Sequence, residues 1–210
     1  MDILSKLFGG SAKVKIMRLF LSNLERVFDN TEIATRAKVA LPTLRKELND
    51  LNKIGLIKKK VHYKDSEKNK NNRAFSSPQR HKSVKSCGWI LDKDFPLLAP
   101  LSNLLIKKSA FSPKEIIAKL KKGGQLTAVI VAGVFIQDKD SRVDILIVGD
   151  KLNNAYLERA LSVLESEIGQ ELKYVILETA DFKYRLGVYD KLLRDILDYS
   201  HKKIINKLGL

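Results

Sequence analysis

The stretch "ALPTLRKELNDLNKIGL", residues 40–56, decides how the first half of the chain folds. Leucines recur along it at i, i+4 and i+7, so one apolar stripe runs along a helix. These leucines are Leu44, Leu48 and Leu51. Pro42 suits the first helical turn, where its missing N–H removes no hydrogen bond, and Gly55 suits the end of the helix. The pattern predicts a helix over residues 41–54 with one buried face.

The preceding residues predict two more helices, and the following ones predict a strand. Residues 11–25, "SAKVKIMRLFLSNLE", place apolar side chains at largely helical spacing after Ser11, a good N-cap. Asp29 and Glu32 have the spacing of a capping box, which predicts that a short helix begins there. Residues 56–63, "LIKKKVHY", alternate like a strand. The predicted order is helix, short helix, helix, strand.

The predicted helix over residues 41–54 exposes polar and basic side chains away from its leucines. They are Thr43, Arg45, Lys46 and Asn49. Such groups suit contacts to phosphates and to base edges in a major groove. Together with the order of the helices, this pattern resembles the winged helix-turn-helix domain of ArsR/MarR-like bacterial and archaeal regulators over most of residues 7–63. The resemblance implies that residues 41–54 are the recognition helix for double-stranded DNA, although Leu41 stands where the family often has a polar cap.

Residues 64–86 are rich in Lys, Asn and Ser, which predicts a long loop. Residues 87–91, "CGWIL", are typical of a returning strand, so residues 56–63 and 87–91 would form the wing hairpin of such a domain. The resemblance then adds the basic side chains of this hairpin and its tip to the DNA-binding set. They are Lys58, Lys60, Lys64, Lys68, Lys70, Arg73, Arg80 and Lys82. The alternative for the loop is an insertion with no defined contact.

The formal net charge of +15 is concentrated in the first part of the chain. Residues 1–90 hold 20 basic and 8 acidic residues, a net of +12, whereas residues 91–210 carry a net of +3. Basic side chains that neutralise phosphates release counterions, so a polyanion is the expected partner. The alternative is that the charge serves solubility alone. The change in charge near residue 90 also indicates a domain boundary.

The length and composition fit a globular protein. The chain has 210 residues, of which 44% are hydrophobic and 30% charged, enough for one large or two small domains. No apolar run approaches the roughly 18 residues of a membrane span, and the N-terminal residues have no signal-peptide pattern, so we expect a cytoplasmic protein without a membrane partner. The lone Cys87 excludes an internal disulfide, and its spacing from His62 and His81 matches no standard metal site, so no metal is expected.

Residues 95–122 predict a helical linker between two domains. An apolar helical stripe follows Pro96. It consists of Leu97, Leu98, Leu101, Leu104 and Leu105, with Phe95 before it. In winged-helix regulators such a stripe often forms a dimer or interdomain face, and the alternative is plain core packing.

Residues 123–210 predict a small α/β domain. The predicted strands are "LTAVIVAGVF" (126–135), "RVDILIVGD" (142–150) and "ELKYVILET" (171–179). The predicted helices are "NNAYLERALSVLESEIGQ" (153–170) and a closing helix, "YDKLLRDILDYSHKKIINKLG" (189–209). With the linker helix in front, the order is helix, strand, strand, helix, strand, helix.

This second half resembles the minimal nucleotidyltransferase fold, in which the first strand ends in Gly-Ser and the second carries Asp-x-Asp. In that fold the glycine lets the chain approach a nucleotide phosphate, and the two acids hold magnesium. Here Gly133 precedes Val134 instead of serine, and Arg142 stands in place of the first acid, two residues before Asp144. The third strand offers no acid at the matching place, and Glu178 lies just beyond it. The resemblance implies a retained fold with a degenerate motif, Gly133, Arg142 and Asp144. We expect Arg142 beside Asp144 to form an ion pair or an anion site, with no metal.

The chain as a whole resembles transcriptional regulators that carry an appended nucleotidyltransferase-like domain. The predicted fold class is α+β, with a winged helix-turn-helix domain over residues 1–94, the linker over residues 95–122 and the nucleotidyltransferase-like domain over residues 123–210. The predicted function is a homodimeric DNA-binding regulator that is not an enzyme and has no catalytic residues and no cofactor. Its second domain would dimerise, sense a small-molecule effector or bind a partner protein. The alternatives are a divergent magnesium-dependent nucleotidyltransferase that uses Asp144 and Glu178, and a protein-binding winged-helix module.

Overall fold

The structure, a computed structural model, describes residues 3–65, 83–107, 112–138 and 140–210. The described residues are a mixture of α-helices and β-strands with two separate sheets, which confirms the coarse fold class. The chain divides into two compact units, Met1–Ala99 and Pro100–Leu210. This division falls within the segment predicted as a linker, so residues 95–99 belong to the first unit and residues 100–122 to the second.

The first unit consists of four helices followed by a hairpin. Its helices are α1 (Ile3–Leu7), α2 (Ser11–Ser22), α3 (Asn30–Ala37) and α4 (Leu41–Lys53). Its strands are β1 (Ile57–Asp65) and β2 (Ser83–Leu91). The predicted order of helices is confirmed, and the sequence prediction missed the short helix α1.

The apolar stripe of α4 is the centre of this unit. Leu44, Leu48 and Leu51 are each 0–1% exposed, as the i, i+4, i+7 spacing predicts. The helix begins after Ala40 with Pro42 in its first turn, and Gly55 beyond its end has a φ of +81°, the left-handed conformation that glycine adopts without strain. The helix is therefore specified locally, by its stripe and by its two ends.

The caps of the preceding helices agree with the prediction in one case and not in the other. Asp29 Oδ1 accepts a hydrogen bond from the Glu32 backbone N–H at 2.7 Å, so Asp29 is the N-cap of α3 as predicted. The N-cap of α2 is Gly10, and Ser11 is already the first helical residue. The prediction of Ser11 as a cap is therefore wrong by one position, because helix ends are only weakly marked in a sequence.

The hairpin of β1 and β2 is antiparallel and is attached to the start of α3. Phe28 forms a β-bridge with Trp89, and the Trp89 Nε1–H donates a hydrogen bond to Asn30 Oδ1 at 2.9 Å. The strands pair from Ile57↔Leu91 to Asp65↔Ser83. The predicted loop over residues 64–86 is therefore too long at both ends, because antiparallel pairing needs only backbone groups and continues through polar residues. The part of that loop over residues 66–82 lies outside the described residues.

The second unit is built around a four-stranded sheet. Its strands are β3 (Gln125–Val131), β4 (Ile145–Asp150), β5 (Tyr174–Glu178) and β6 (Lys202–Asn206). The helices of this part of the chain are α5 (Leu98–Ser102, across the division), α6 (Pro113–Leu120), α7 (Asn154–Ile168), α8 (Thr179–Gly187) and α9 (Lys191–Leu197), with a π-helical turn over Asn103–Lys107. The order in the sheet is β5-β4-β3-β6. Only β4 and β5 are parallel among these neighbours, and α7 connects them.

Alternate residues of β3 and β4 pack against helices on opposite faces of the sheet. Val129 and Ile147 contribute to one apolar cluster with α6 and α7. Ile130 and Leu146 contribute to another that contains Phe182 of α8, together with residues of α9. Both faces of the central strands are thus covered, which explains why their sequences are continuously apolar.

The predicted closing helix over residues 189–209 is wrong. The structure has the short helix α9 over Lys191–Leu197 and then the strand β6, which pairs antiparallel with β3. The helix α8 was also missed. The segment that forms β6, "KKIIN", is too short to show a period, and its pairing partner lies about seventy residues earlier, so nothing local distinguishes a strand from a continued helix.

The described helices differ from membrane-spanning helices in length and composition. None of them has the length and the apolar character that a membrane crossing needs. The longest, α7, has 15 residues, whereas a span takes about 20.

We expect Leu48→Ala to lower the free energy of unfolding of the first unit by about 2–5 kcal/mol, because it leaves a cavity under α4. Urea unfolding followed by the fluorescence of Trp89, the single tryptophan of the chain, reports on this unit. The matched control is Leu41→Ala on the same helix, where the leucine is 40% exposed and the expected loss is below about 1 kcal/mol. Equal losses in the two variants would contradict the buried face assigned to α4.

Candidate nucleic-acid interface

One side of α4 presents polar and basic side chains to solvent. The four residues that the sequence predicted there, Thr43, Arg45, Lys46 and Asn49, are all exposed. At 100° per residue, Lys46 and Asn49 lie opposite the buried leucines, and Thr43 and Arg45 lie on the two flanks. Lys53 is also exposed and follows Asn49 at i+4, so it belongs to the same face. The sequence prediction missed Lys53, although its spacing from Asn49 was a sufficient signal.

The cations of this face are not neutralised by neighbouring acids. Within residues 3–65, neither Arg45 nor Lys46 forms an ion pair with a described side chain. Two acids, Glu47 and Asp50, lie between these cations and the end of the helix. Asp50 is half-buried, and Glu47 pairs with Lys13 of α2, whose Nζ lies 3.2 Å from Glu47 Oε2. This pair helps to hold α4 against α2 and leaves the exposed face with a positive charge.

The lysines of β1 differ from one another in their surroundings. Lys58 and Lys60 are exposed and, being two residues apart, project to the same side of the strand. Lys58 Nζ donates a hydrogen bond to Asp92 Oδ1 at 2.9 Å. That bond raises the pKa of Lys58 above its ordinary value and lowers the pKa of the Asp92 carboxyl below its own. Lys59, on the other side, places its Nζ 5.5 Å from the centre of the Trp89 ring, a cation–π distance.

Of the other basic residues predicted to contact DNA from the hairpin, only Lys64 lies within the described residues. Lys64 is a residue of β1, where its backbone pairs with Val84. The other five predicted residues, Lys68, Lys70, Arg73, Arg80 and Lys82, lie outside the described residues. Cys87 is exposed on β2, and no group of three His, Cys, Asp or Glu side chains able to hold a metal ion occurs in the part of the chain that the structure describes.

The motif predicted from the sequence, Gly133, Arg142 and Asp144, lies at one end of the second sheet. Gly133 begins a 3₁₀ turn, Gly133–Phe135, immediately after β3. Asp144 directly precedes β4 and is 7% exposed. Arg142, two residues earlier, is exposed, with 64% of its side chain accessible. Asp144, the residue that would have to bind a metal ion, is therefore buried, whereas Arg142 is exposed.

Both carboxylate oxygens of Asp144 accept hydrogen bonds from the backbone. The Val134 N–H donates to Oδ1 at 2.9 Å, and the Lys173 N–H donates to Oδ2 at 2.8 Å. The main chain of Asp144 makes two further bonds, from the Ala132 N–H to its carbonyl at 2.8 Å and from its own N–H to the Lys173 carbonyl at 2.6 Å. Asp144 thus joins the end of β3 to the start of β5. Hydrogen bonds to an ionised carboxylate are among the stronger ones, so this role is structural.

Gly133 is constrained by the same carboxylate. A Cβ at this position would overlap Asp144 Oδ1, and the residue has a φ of +51°. A glycine is therefore needed here for both space and backbone conformation. This close approach of the chain to a carboxylate accounts for the glycine without any nucleotide phosphate.

Arg142 does not pair with Asp144, so that expectation is wrong. Its guanidinium Nη1 lies 2.8 Å from Oδ2 of Asp195, a residue of α9. The oxygens of Asp144 accept hydrogen bonds from two backbone N–H groups instead. The ion-pair partner of Arg142 therefore lies in a helix more than fifty residues later in the chain.

The two acids of the alternative enzyme hypothesis lie at opposite ends of the sheet. Asp144 precedes Ile145, which is paired with Tyr174, whereas Glu178 is paired with Gly149. The five residue steps between them along parallel strands correspond to about 16 Å. Magnesium binds its ligands at about 2.0–2.1 Å, so these two carboxylates cannot hold one ion.

Comparison with models of protein families, with characterised proteins and with solved structures finds no match to this chain. What each of the two sites can bind therefore follows from its own residues alone. The first site offers exposed amide, hydroxyl and cationic donors on a rigid helix, a set that suits phosphates and base edges. The second offers a carboxylate whose oxygens both accept backbone hydrogen bonds.

Asp144→Ala should destabilise the second unit strongly, because it leaves the N–H groups of Val134 and Lys173 without acceptors, at roughly 1–3 kcal/mol for each. The control is Asp198→Ala, which removes the carboxylate of an ion pair with Arg194 that is exposed at both ends and should cost less than about 1 kcal/mol. Far-UV circular dichroism during urea unfolding measures both losses, and amide hydrogen exchange by NMR reports on the two N–H groups. Unchanged exchange at both amides in Asp144→Ala would refute the structural role of this carboxylate.

Proposed function

We propose that the protein is a DNA-binding transcriptional regulator whose first unit is a winged helix-turn-helix. In this proposal α4 is the recognition helix and lies in the major groove of double-stranded DNA. The hairpin of β1 and β2 is the wing and contacts the phosphate backbone. The observation that carries the proposal is the exposed face of α4, where cationic and amide side chains stand opposite three buried leucines.

The composition of that face fits the division of labour in protein–DNA recognition. Lys46, Lys53 and Arg45 can neutralise phosphates, and an arginine can also form two hydrogen bonds with a guanine. Asn49 offers an amide that can form two hydrogen bonds with an adenine. Packing of the leucines fixes the direction of these side chains, so the helix would present them as a rigid group.

The electrostatics of the first part of the chain support the same partner. The net charge of +12 over residues 1–90 attracts a polyanion, and exposed Lys60 on the hairpin extends the positive face beyond α4. Two of the acids near this face are engaged elsewhere, Glu47 with Lys13 and Asp92 with Lys58, and the third, Asp50, is half-buried. A duplex would therefore meet few repelling carboxylates.

For the second unit we propose a nucleotidyltransferase-like domain that has no transfer activity. The support is chemical, because Asp144 is committed to backbone donors and Arg142 occupies the place of the first acid. A domain without catalysis can dimerise, bind a small-molecule effector or hold a partner protein. A homodimer would read a DNA site with two-fold symmetry.

We expect Arg45→Glu/Lys46→Glu to weaken binding to a duplex from the region upstream of the coding sequence by tenfold or more. The measurement is fluorescence anisotropy over a salt series, and each lost phosphate contact should reduce the salt slope by about 1. The control is Lys121→Glu/Lys122→Glu, two exposed lysines of the second unit with the same change in charge. The recognition helix would be wrongly assigned if the two variants lost affinity equally.

Lys60→Ala should reduce DNA affinity more than Lys58→Ala does. The ammonium of Lys58 already has a carboxylate partner in Asp92, so DNA gains less from it. Asp92→Asn, which frees Lys58, should strengthen binding. The same anisotropy assay at fixed salt ranks the three variants, and a larger loss for Lys58→Ala than for Lys60→Ala would contradict the wing contacts proposed here.

A further inference from the structure

Several large aromatic or apolar side chains are exposed over residues 181–199, which cover most of α8, all of α9 and the two residues after it. We call residues 181–199 the tyrosine surface. Tyr184, Tyr189 and Tyr199 are 69%, 78% and 70% exposed, and Val188, one helical turn after Tyr184, is 56% exposed. Exposed aromatic side chains are enriched at sites where another protein binds.

A groove of about 530 Å³ lies within the tyrosine surface. Its apolar lining comes from Leu186, Leu193 and Leu197, and Tyr189 stands beside them. Asp190, Arg194 and Asp198 also line the groove, so the same nineteen-residue segment carries both protruding rings and a hollow of mixed apolar and charged lining. A surface with both features can be complementary to itself, which is what a two-fold interface between identical chains requires.

The backbone at Tyr189 adds a second unusual feature. Its φ is +56°, a left-handed conformation that is uncommon for a bulky residue. The residue is not held there by burial, since its side chain is largely exposed. Asparagine or glycine would adopt this left-handed backbone more easily, so a tyrosine here is in a conformation that its side chain disfavours. Residues held in this way are found at binding sites more often than elsewhere.

The charge of the tyrosine surface differs from that of the whole chain. It contains four basic and four acidic residues, a net charge of zero, within a chain of net charge +15. Two pairs of these charges are neutralised locally, Arg185 with Asp181 at 3.1 Å and Arg194 with Asp198 at 3.4 Å. Nucleic acid or a strongly acidic partner would find no attraction here.

We infer that the tyrosine surface is the place where a second copy of this chain binds, with tyrosines of each copy entering the groove of the other. Two chains of charge +15 repel each other, and they can approach closely only where the local charge is balanced. The tyrosine surface meets this condition, and it combines exposed aromatic rings with a groove that is lined in part by leucines. The inference does not rest on DNA binding.

The area of the exposed rings is of the right size. An aromatic side chain can bury about 150–250 Å², so three that are about 70% exposed offer roughly 300–550 Å². A stable interface takes about 800 Å² from each partner. The tyrosines thus supply about half of the required area, and the groove and Val188 contribute to the rest.

The test is sedimentation equilibrium of the full chain without DNA. We expect a concentration-dependent dimer for the natural chain, and we expect Tyr184→Lys/Tyr189→Asn to raise the dimer Kd by tenfold or more. Both replaced side chains are exposed, and asparagine accepts the left-handed backbone at position 189, so the variant should fold normally. The matched control, Ile54→Asn, removes a 59% exposed apolar side chain from the first unit and should leave the Kd unchanged.

Hydrogen exchange provides a second readout that locates the interface. Peptides that cover residues 181–199 should exchange more slowly above the dimer Kd than below it, with no such change in the double variant. A chain that stays monomeric at every concentration overturns the inference and assigns the surface to a different partner. A dimer that persists unchanged in Tyr184→Lys/Tyr189→Asn, or protection confined to other segments, overturns it as well.

Discussion

The buried carboxylate of Asp144 is the constraint on which the second unit depends. A charge removed from water needs hydrogen-bond donors, and here the donors are backbone N–H groups of the segments that follow β3 and precede β5. The carboxylate therefore fixes where three strands meet. It also excludes any side chain at position 133, because the space of a Cβ is taken by Oδ1. A glycine followed by a strand-edge acid can thus be a packing device, although the same residues resemble a catalytic motif.

The first unit depends on a simpler constraint, the burial of one helical stripe. Because Leu44, Leu48 and Leu51 are buried, the opposite side of α4 faces water. The side chains on that side are not needed for packing and are available to bind a partner. The hairpin is held to this group of helices through Trp89, which reaches Asn30 and pairs with Phe28. The proposed DNA-binding face therefore combines a helix fixed by packing with a hairpin whose buried residues include Ile57 and Leu91 beside Trp89.

Some features set by neighbouring residues were predictable from the sequence, although the N-cap of α2 and the helices α1 and α8 were missed. The features below that are set by distant residues were not predicted. The bounds of α4 and the cap at Asp29 follow from spacing within a single turn or two, and both were predicted. The partner of Arg142 and the strand β6 depend on residues more than fifty positions away, and both predictions were wrong. For the candidate interface, the exposed set on α4 was predicted except for Lys53, whereas the tip of the wing lies outside the described residues.

The position of β6 in the sheet has a consequence for how the chain folds during synthesis. The strand β3 is central, yet one of its two neighbours, β6, leaves the ribosome about seventy residues later. Until then the edge of β3 has unpaired backbone groups, which are a template for incorrect pairing. The first unit, whose strands and helices are close in sequence, can complete its fold before that point. The chain is therefore expected to be most prone to aggregation between the synthesis of β3 and that of β6, when the first unit is folded and the edge of β3 is still unpaired.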